Sequence, residues 1–182
     1  VNQPVIQGLP HVSPEDTIRE VKRLTGRMVA INLEPATIKN NDEESVWNLT
    51  TGRQATVENA RKAADMGVDM IVLTGNPGVG VDNEAIMQAL SKLKDAVGDR
   101  VILTAGKMHA SGIISEAGEK ILTEKDIVDF IDAGADVILL PAPGTVPGIT
   151  MEYAGKLIKK AHEKGALAMT TIGTSQEGAD ED

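Results

Sequence analysis

The sequence contains no cysteine, few aromatic residues and no long hydrophobic run. Without cysteine, disulfide bonds, cysteine-based metal sites and a thiol nucleophile are excluded, which fits a cytoplasmic protein. Phe, Trp and Tyr together make up 2% of the 182 residues, so aliphatic side chains must form the core. No stretch approaches the roughly 18 continuous apolar residues of a membrane span, and we expect no membrane association.

Positive charge is also scarce, with 18 Lys and Arg against 27 Asp and Glu and a net charge of −9. Nucleic acid is bound mainly through Lys and Arg contacts to phosphate, so this balance argues against a nucleic-acid partner. Small anions stay compatible, because backbone amides and one local Lys can bind them. We therefore expect a small anionic metabolite as the ligand. The sequence is compatible with a homo-oligomer but does not reveal its order.

A repeated phrase organises the chain: a helix, a Gly, a short apolar strand and a loop rich in Gly and Pro. The spacing between successive helix-ending glycines is 31 to 41 residues, about the length of one βα unit. The predicted helix caps include Thr56, Thr123 and Thr150, and Asp126 stands three residues after Thr123 as in a capping box. The glycines that end the helices are Gly26, Gly67, Gly98, Gly134 and Gly165.

Short and nearly continuous apolar runs follow these glycines, the pattern of strands buried on both faces. Strands separated by helices must be parallel, with right-handed crossovers. The predicted strands are residues 28–33, 70–73, 101–104, 137–140 and 167–171.

Two architectures satisfy this pattern, a closed (β/α)8 TIM barrel and an open, doubly wound flavodoxin-like sheet. We favour the barrel, because polar and Gly-rich residues follow every strand and do not gather at one switch point. The chain opens without Met, at VNQPVIQGLP, and closes at TTIGTSQEGADED as if a helix were about to start. These ends predict one domain over residues 1–182, an incomplete barrel of about five βα units that is truncated at both ends.

In parallel α/β folds the ligand site lies at the carboxyl ends of the strands, so the loops after the strands hold the candidate residues. Glu34 ends the first strand and is a candidate general base, metal ligand or ion-pair partner for Lys107. Lys107 follows the third strand and could bind an anion, form a Schiff base or be a plain surface lysine. His109, two residues further, could transfer protons near neutral pH.

Anion-binding candidates lie in three other loops. The GNPGVG segment (75–80) precedes a helix start, where backbone amides favour an anion, although a purely structural turn explains it equally well. The last loop, GTSQEG, supplies hydroxyl donors near flexible glycines, while its serine could equally cap a following helix. The predicted substrate- or phosphate-binding residues are Asn76, Gly78, Gly80, Thr145, Thr174 and Ser175.

At LTGNPGVGVDNEAI, ILTAGKMHASG, ADVILLPAPGTVPG and TTIGTSQEGAD the chain resembles a bacterial family of uncharacterised TIM-barrel proteins. That family is similar in layout to phosphoenolpyruvate mutase and isocitrate lyase barrels, and its members are often labelled phosphonomutase-like or haloacid dehalogenase-like hydrolase. The resemblance implies a barrel with further units on both sides. It also implies Mg²⁺ held by strand-end carboxylates, for which Glu34 is the only good match.

For two of these enzyme types the catalytic residues are missing from this sequence. The Asp-x-Asp-x-Thr/Val nucleophile motif that haloacid dehalogenases carry after their first strand is absent, and so is the cysteine of isocitrate lyases. We therefore expect an enzyme of the lyase, aldolase or mutase kind acting on a phosphorylated or carboxylated metabolite. Lys107 would bind the anion, and Glu34 or His109 would move the proton. The alternative is a non-catalytic barrel protein that binds a metabolite or has a regulatory role.

Overall fold

The computed structural model describes residues 14–33, 55–75, 83–107, 122–140, 143 and 150–170, and these alternate between helices and strands. The helices are α1 (Pro14–Thr25), α2 (Val57–Asp65), α3 (Asn83–Val97), α4 (Glu124–Asp132) and α5 (Met151–Glu163), and a 3-10 turn, Gly98–Arg100, follows α3. The strands are β1 (Ala30–Leu33), β2 (Met70–Gly75), β3 (Ile102–Lys107), β4 (Val137–Leu140) and β5 (Leu167–Thr170).

The punctuation of the helices is as the sequence predicts. Thr56, Thr123 and Thr150 each accept a hydrogen bond from a backbone amide of the first helical turn, and Thr123 forms a capping box with Asp126. All five predicted helix-ending glycines have positive φ, which confirms them as helix terminators. At Gly134, for example, φ is 113°, a conformation that side chains with a Cβ rarely adopt.

The five strands form one parallel sheet in the order β1-β2-β3-β4-β5. The flavodoxin-like alternative is therefore wrong, because that topology places β1 between β2 and β3 and reverses direction at a switch point. Successive helices also contact one another, α2 with α3, α3 with α4 and α4 with α5, so these four share one face of the sheet. The described residues thus establish an α/β fold with a singly wound parallel sheet.

Alternation along the strands divides the sheet into two faces. Residues such as Ile71, Leu103 and Ile138 are fully buried and pack in one cluster with the helices. The cluster is aliphatic apart from Phe130, as the low aromatic content predicts. The opposite face carries a row of residues in register across all five strands: Asn32, Val72, Thr104, Val137 and Leu167.

The predicted strand bounds are right at β4 and differ elsewhere by a few residues. β1 begins at Ala30, two residues later than the apolar run, with Met28 exposed before it. β3 extends to Lys107, three residues beyond the prediction, because Gly106 pairs with Thr74 and Leu139 and Lys107 pairs with Gly75. Backbone pairing continues past the last apolar side chain, which an apolar pattern cannot reveal.

Aspartates fix the amino end of the sheet, where the strands begin. Asp69 accepts hydrogen bonds from the Val29 amide at 2.8 Å and from Lys22 Nζ at 2.9 Å. Lys22 Nζ also donates to the Gly67 carbonyl at 2.7 Å. One Asp thereby joins α1, β1 and the start of β2, and we call this arrangement the first clamp.

The same arrangement recurs between β3 and β4. Asp136 accepts hydrogen bonds from the Leu103 amide and from Lys94 Nζ, both at 2.9 Å, and Lys94 also pairs with Asp99 at 3.2 Å. This second clamp joins α3, β3 and the start of β4. Both aspartates precede an even-numbered strand, so the described chain repeats a unit of two strands and two helices.

Candidate functional site

The carboxyl ends of all five strands lie at one end of the sheet, since the strands are parallel and adjacent in sequence order. Lys107 is the last residue of β3, and its backbone pairs with Gly75, the last residue of β2. On its other edge β2 pairs with β1, where Leu73 is the partner of Leu33, the last residue of β1. The loops predicted to hold the site therefore begin beside one another.

Most of the predicted site residues lie outside the described residues. For Lys107 the structure describes the backbone, and Lys107 is the last residue of β3, whereas the sequence predicted it in the loop after that strand. The side-chain arrangement that would bring these residues together remains a prediction. The residues outside the described part are Glu34, His109, Asn76, Gly78, Gly80, Thr145, Thr174 and Ser175.

A polar junction connects the starts of α3 and α4 at this end of the molecule. Asn83, the first residue of α3, donates from Nδ2 to Oδ1 of Asp126. The other carboxylate oxygen of Asp126 accepts from the Thr123 amide at 2.7 Å, and the Asp126 amide donates to Thr123 Oγ1 at 3.2 Å. Asp126 is 8% exposed, so its charge is stabilised by these donors and not by bulk water.

Tyr153 extends this junction to the first turn of α5. Its phenol donates to the carbonyl of Leu122 at 2.9 Å, and Leu122 directly precedes the cap Thr123. Burial, together with the nearby charges of Glu124 and Asp126, raises the pKa of Tyr153. The phenol therefore keeps its proton at neutral pH and remains a hydrogen-bond donor.

Two oxygens of the described structure are buried and accept or donate no hydrogen bond, Asn83 Oδ1 and Thr104 Oγ1. Asn83 Oδ1 belongs to the junction. Thr104 is fully buried in the middle of β3, in the row on the face away from the helices. Thr104 is a polar residue within the apolar run of β3. A polar residue at such a position can be recognised in the sequence, but the prediction did not select it.

Gly106 is required by the close approach of β3 and β4. A Cβ built at Gly106 would lie 2.7 Å from Leu139 Cβ and still nearer to the Leu139 carbonyl oxygen. Glycine within a strand commonly marks such an approach of two backbones. The residue before Lys107 therefore has a packing role that fixes where β3 ends.

The junction was only partly predicted. Asp126 was predicted as the capping-box partner of Thr123, but its bond to Asn83 joins residues 43 positions apart. Tyr153 was not selected, although it is the single Tyr of an aromatic-poor chain and thus an unusual residue. Contacts between the starts of different helices follow from the sheet order, which a local pattern does not contain.

Within the described ranges, no three His, Asp or Glu side chains are grouped to hold a metal ion. Glu34, the one residue proposed as a ligand for Mg²⁺, lies outside those ranges. None of the described helices is long and apolar enough to cross a membrane.

The chain belongs to the family described as a domain of unknown function, DUF7916, whose model matches residues 1–182. No protein with a curated function matches the chain. Among solved structures, it is similar to dihydrodipicolinate synthase from Bacillus clausii, with 16% identity and a TM-score of 0.45. The match covers 82% of this chain and 47% of that structure, so the chain spans less than half of the neighbour's length. A likeness of this size assigns no function.

Proposed function

We propose that the sheet is five-eighths of a closed (β/α)8 barrel and that its carboxyl end carries an enzyme active site for a small phosphorylated or carboxylated metabolite. The repeated clamp supports closure. Asp69 directly precedes β2. In the register of the sheet it is level with Val29, directly before β1, and with Val101, directly before β3. The second clamp uses Leu103, two residues further along β3.

The second pair of strands is thus displaced by two residues relative to the first pair. Four such pairs give a displacement of about eight residues around eight strands, the shear of the (β/α)8 barrel. In that barrel the row on the face away from the helices, including Val72, Thr104 and Val137, fills the interior. Such an interior is packed with layers of aliphatic side chains.

The observation that carries the functional proposal is the position of Lys107. Its backbone ends β3, level with Gly75, from which the GNPGVG loop starts. A lysine beside a loop of backbone amides is suited to bind a phosphate or carboxylate. Lys107 and the amides of this loop, with Asn76, would bind the anion.

Glu34 is the proposed proton carrier, with His109 as the alternative. β1 and β3 lie on either side of β2, so their ends are about 10 Å apart, twice the spacing of neighbouring strands. By alternation Lys107 is on the face of Leu103 and Ala105, so its side chain must reach over the end of β3 to approach a ligand placed above β2. A carboxylate on one side and a lysine on the other suits the removal of a proton next to a stabilised anion. This pairing and the family resemblance support the lyase, aldolase or mutase class.

Binding of phosphoenolpyruvate to the Lys107→Gln variant tests the proposal. We expect saturable stabilisation of the wild type in thermal unfolding, since a ligand at a hundred times its Kd stabilises by about 2.7 kcal/mol. In Lys107→Gln the affinity should fall at least tenfold, because the point charge is lost. Lys92→Gln is the matched control, as Lys92 is an exposed lysine on α3.

Three results would contradict parts of this proposal. If neither phosphoenolpyruvate, sugar phosphates nor inorganic phosphate stabilises the wild type, with or without Mg²⁺, there is no anion site. If Lys92→Gln weakens binding as much as Lys107→Gln, the anion is bound elsewhere. Binding with no turnover of any substrate in a lyase and mutase panel would favour the non-catalytic regulatory alternative.

A further inference from the structure

The starts of α3, α4 and α5 are joined by side-chain bonds, although each helix follows a different loop. Asn83 of α3 donates to Asp126 of α4, and Asp126 also binds the Thr123 amide. Tyr153 of α5 donates to Leu122, the residue before Thr123. Asp126 and Leu122 are buried, so these bonds are sheltered from competition with water.

These three helices follow the loops with most of the predicted anion-binding residues. The loop between β2 and α3 contains Asn76, the loop between β3 and α4 begins after Lys107, and the loop between β4 and α5 contains Thr145. A loop whose two ends are fixed has fewer arrangements available, which lowers the entropy lost on binding a ligand. The junction fixes the helix end of each loop, while the parallel sheet fixes the strand end.

We propose that Asn83, Asp126 and Tyr153 are positioning residues that hold the three loops in one arrangement for anion binding. The inference rests on the proposed function for its ligand, but not for the coupling itself. Coupling requires that a substitution on α3 change the hydrogen bonding at the start of α4. This change can be measured without any ligand.

The chemistry of the Asn83–Asp126 pair allows an exchange of roles. In Asn83→Asp two carboxylates face each other in a buried place, and their repulsion should open the junction. In the double variant N83D/D126N the new amide donates to the new carboxylate, and its oxygen can still accept from the Thr123 amide. The double variant should therefore restore what the single variant loses.

Hydrogen exchange of the ligand-free protein measures the coupling. In Asn83→Asp, the amides of Thr123 and Asp126 on α4 should exchange at least tenfold faster than in the wild type. In N83D/D126N they should return to within about threefold of the wild type. Tyr153→Phe, which removes the hydroxyl that donates to Leu122, should give a smaller acceleration at the same amides.

Two controls separate positioning from general loss of stability. Asp129→Asn changes a carboxylate on α4 outside the junction and should leave the Thr123 amide unchanged. Asp69→Ala weakens the first clamp at the other end of the sheet and should lower overall stability with no selective change at Thr123 or Asp126. Accelerated exchange confined to α3 in Asn83→Asp, or no recovery in a folded double variant, would overturn the inference.

Phosphoenolpyruvate binding by calorimetry, at a temperature where every variant is folded by circular dichroism, adds the functional readout. We expect Asn83→Asp to lose at least tenfold in affinity and the double variant to regain it. If the wild type binds no anion while exchange shows the coupling, the proposed function fails and the junction stands. If the wild type binds and Asn83→Asp binds equally well, the positioning role is wrong.

Discussion

The two ends of the sheet are fixed by different means. At the amino end, Asp69 and Asp136 accept from strand amides and from the lysines of preceding helices. At the carboxyl end, the described junction is made by hydrogen bonds of an amide, a buried carboxylate and a phenol. Partly exposed ion pairs suit an end that only has to hold strands together. At the end with the candidate loops, the last residue of β3 is Lys107.

In the proposed barrel, this contrast would separate stability from binding. In barrels, residues at the amino end serve stability, and residues at the carboxyl end serve catalysis. The two clamps fit the first part of that division, since each joins a helix and two strands. Substitutions at the amino end should therefore change stability alone, whereas those at the carboxyl end should change ligand binding.

The largest effect should come from Gly106→Ala. This substitution lies at the carboxyl end, but it should lower both stability and ligand affinity. The added Cβ collides with Leu139, so β3 and β4 must separate at their carboxyl ends. We expect a loss of about 3 kcal/mol in the free energy of unfolding, measured in urea. Phosphoenolpyruvate affinity should fall as well, because Lys107 follows directly.

Gly155→Ala provides the control for Gly106→Ala. Gly155 lies within α5, and no atom lies within 4 Å of its Cβ position. Alanine should stabilise this helix by about 0.5–1 kcal/mol, because glycine is the poorer helix former. A loss of stability in Gly155→Ala, or none in Gly106→Ala, would contradict the packing described here.

The next effect is that of Asp69→Ala and Asp136→Ala, which sharpen the contrast. Each variant removes the carboxylate that accepts from a backbone amide and from a lysine, at an expected cost of about 1–3 kcal/mol in urea unfolding. Asp136→Ala should cost more, because Leu103 is fully buried whereas Val29 is half-buried. Affinity for phosphoenolpyruvate should stay at the wild-type value in both, and a tenfold loss in either would break the division of roles.

The smallest effect should be the acid dependence of the first clamp. The Val29 amide and Lys22 lower the pKa of the Asp69 carboxyl below its ordinary value. The stabilisation is therefore complete above the ordinary Asp pKa of about 3.9 and is lost as the pH falls through the lowered value. Unfolding curves between about pH 5 and pH 2, the range in which carboxylates titrate, should be compared for the two proteins. Asp69→Asn should lose less stability than the wild type as the pH falls. Parallel curves would show that Asp69 contributes nothing to acid sensitivity.

Much of the fold could be predicted from the sequence because its signals are local. Gly134 with its strand 137–140, and Thr123 with Asp126, were placed correctly by residue type and spacing alone. Local backbone preferences decide where helices start and stop, and they act within a few residues. The site could be predicted only as positions along the chain. Lys107, predicted in the loop after the third strand, is the one candidate whose backbone lies within the described residues, and it is the last residue of β3 itself.

By itself, the sequence determined an aliphatic core, parallel strands and the side of the sheet on which the loops emerge. Those follow from composition and from a periodicity that requires no knowledge of distant contacts. Only the tertiary structure decided the strand order, the repeated clamps and the junction of Asn83 with Asp126. The physical reason is that each of these joins residues at least thirty positions apart, and such pairs form only once the helices and strands have packed together.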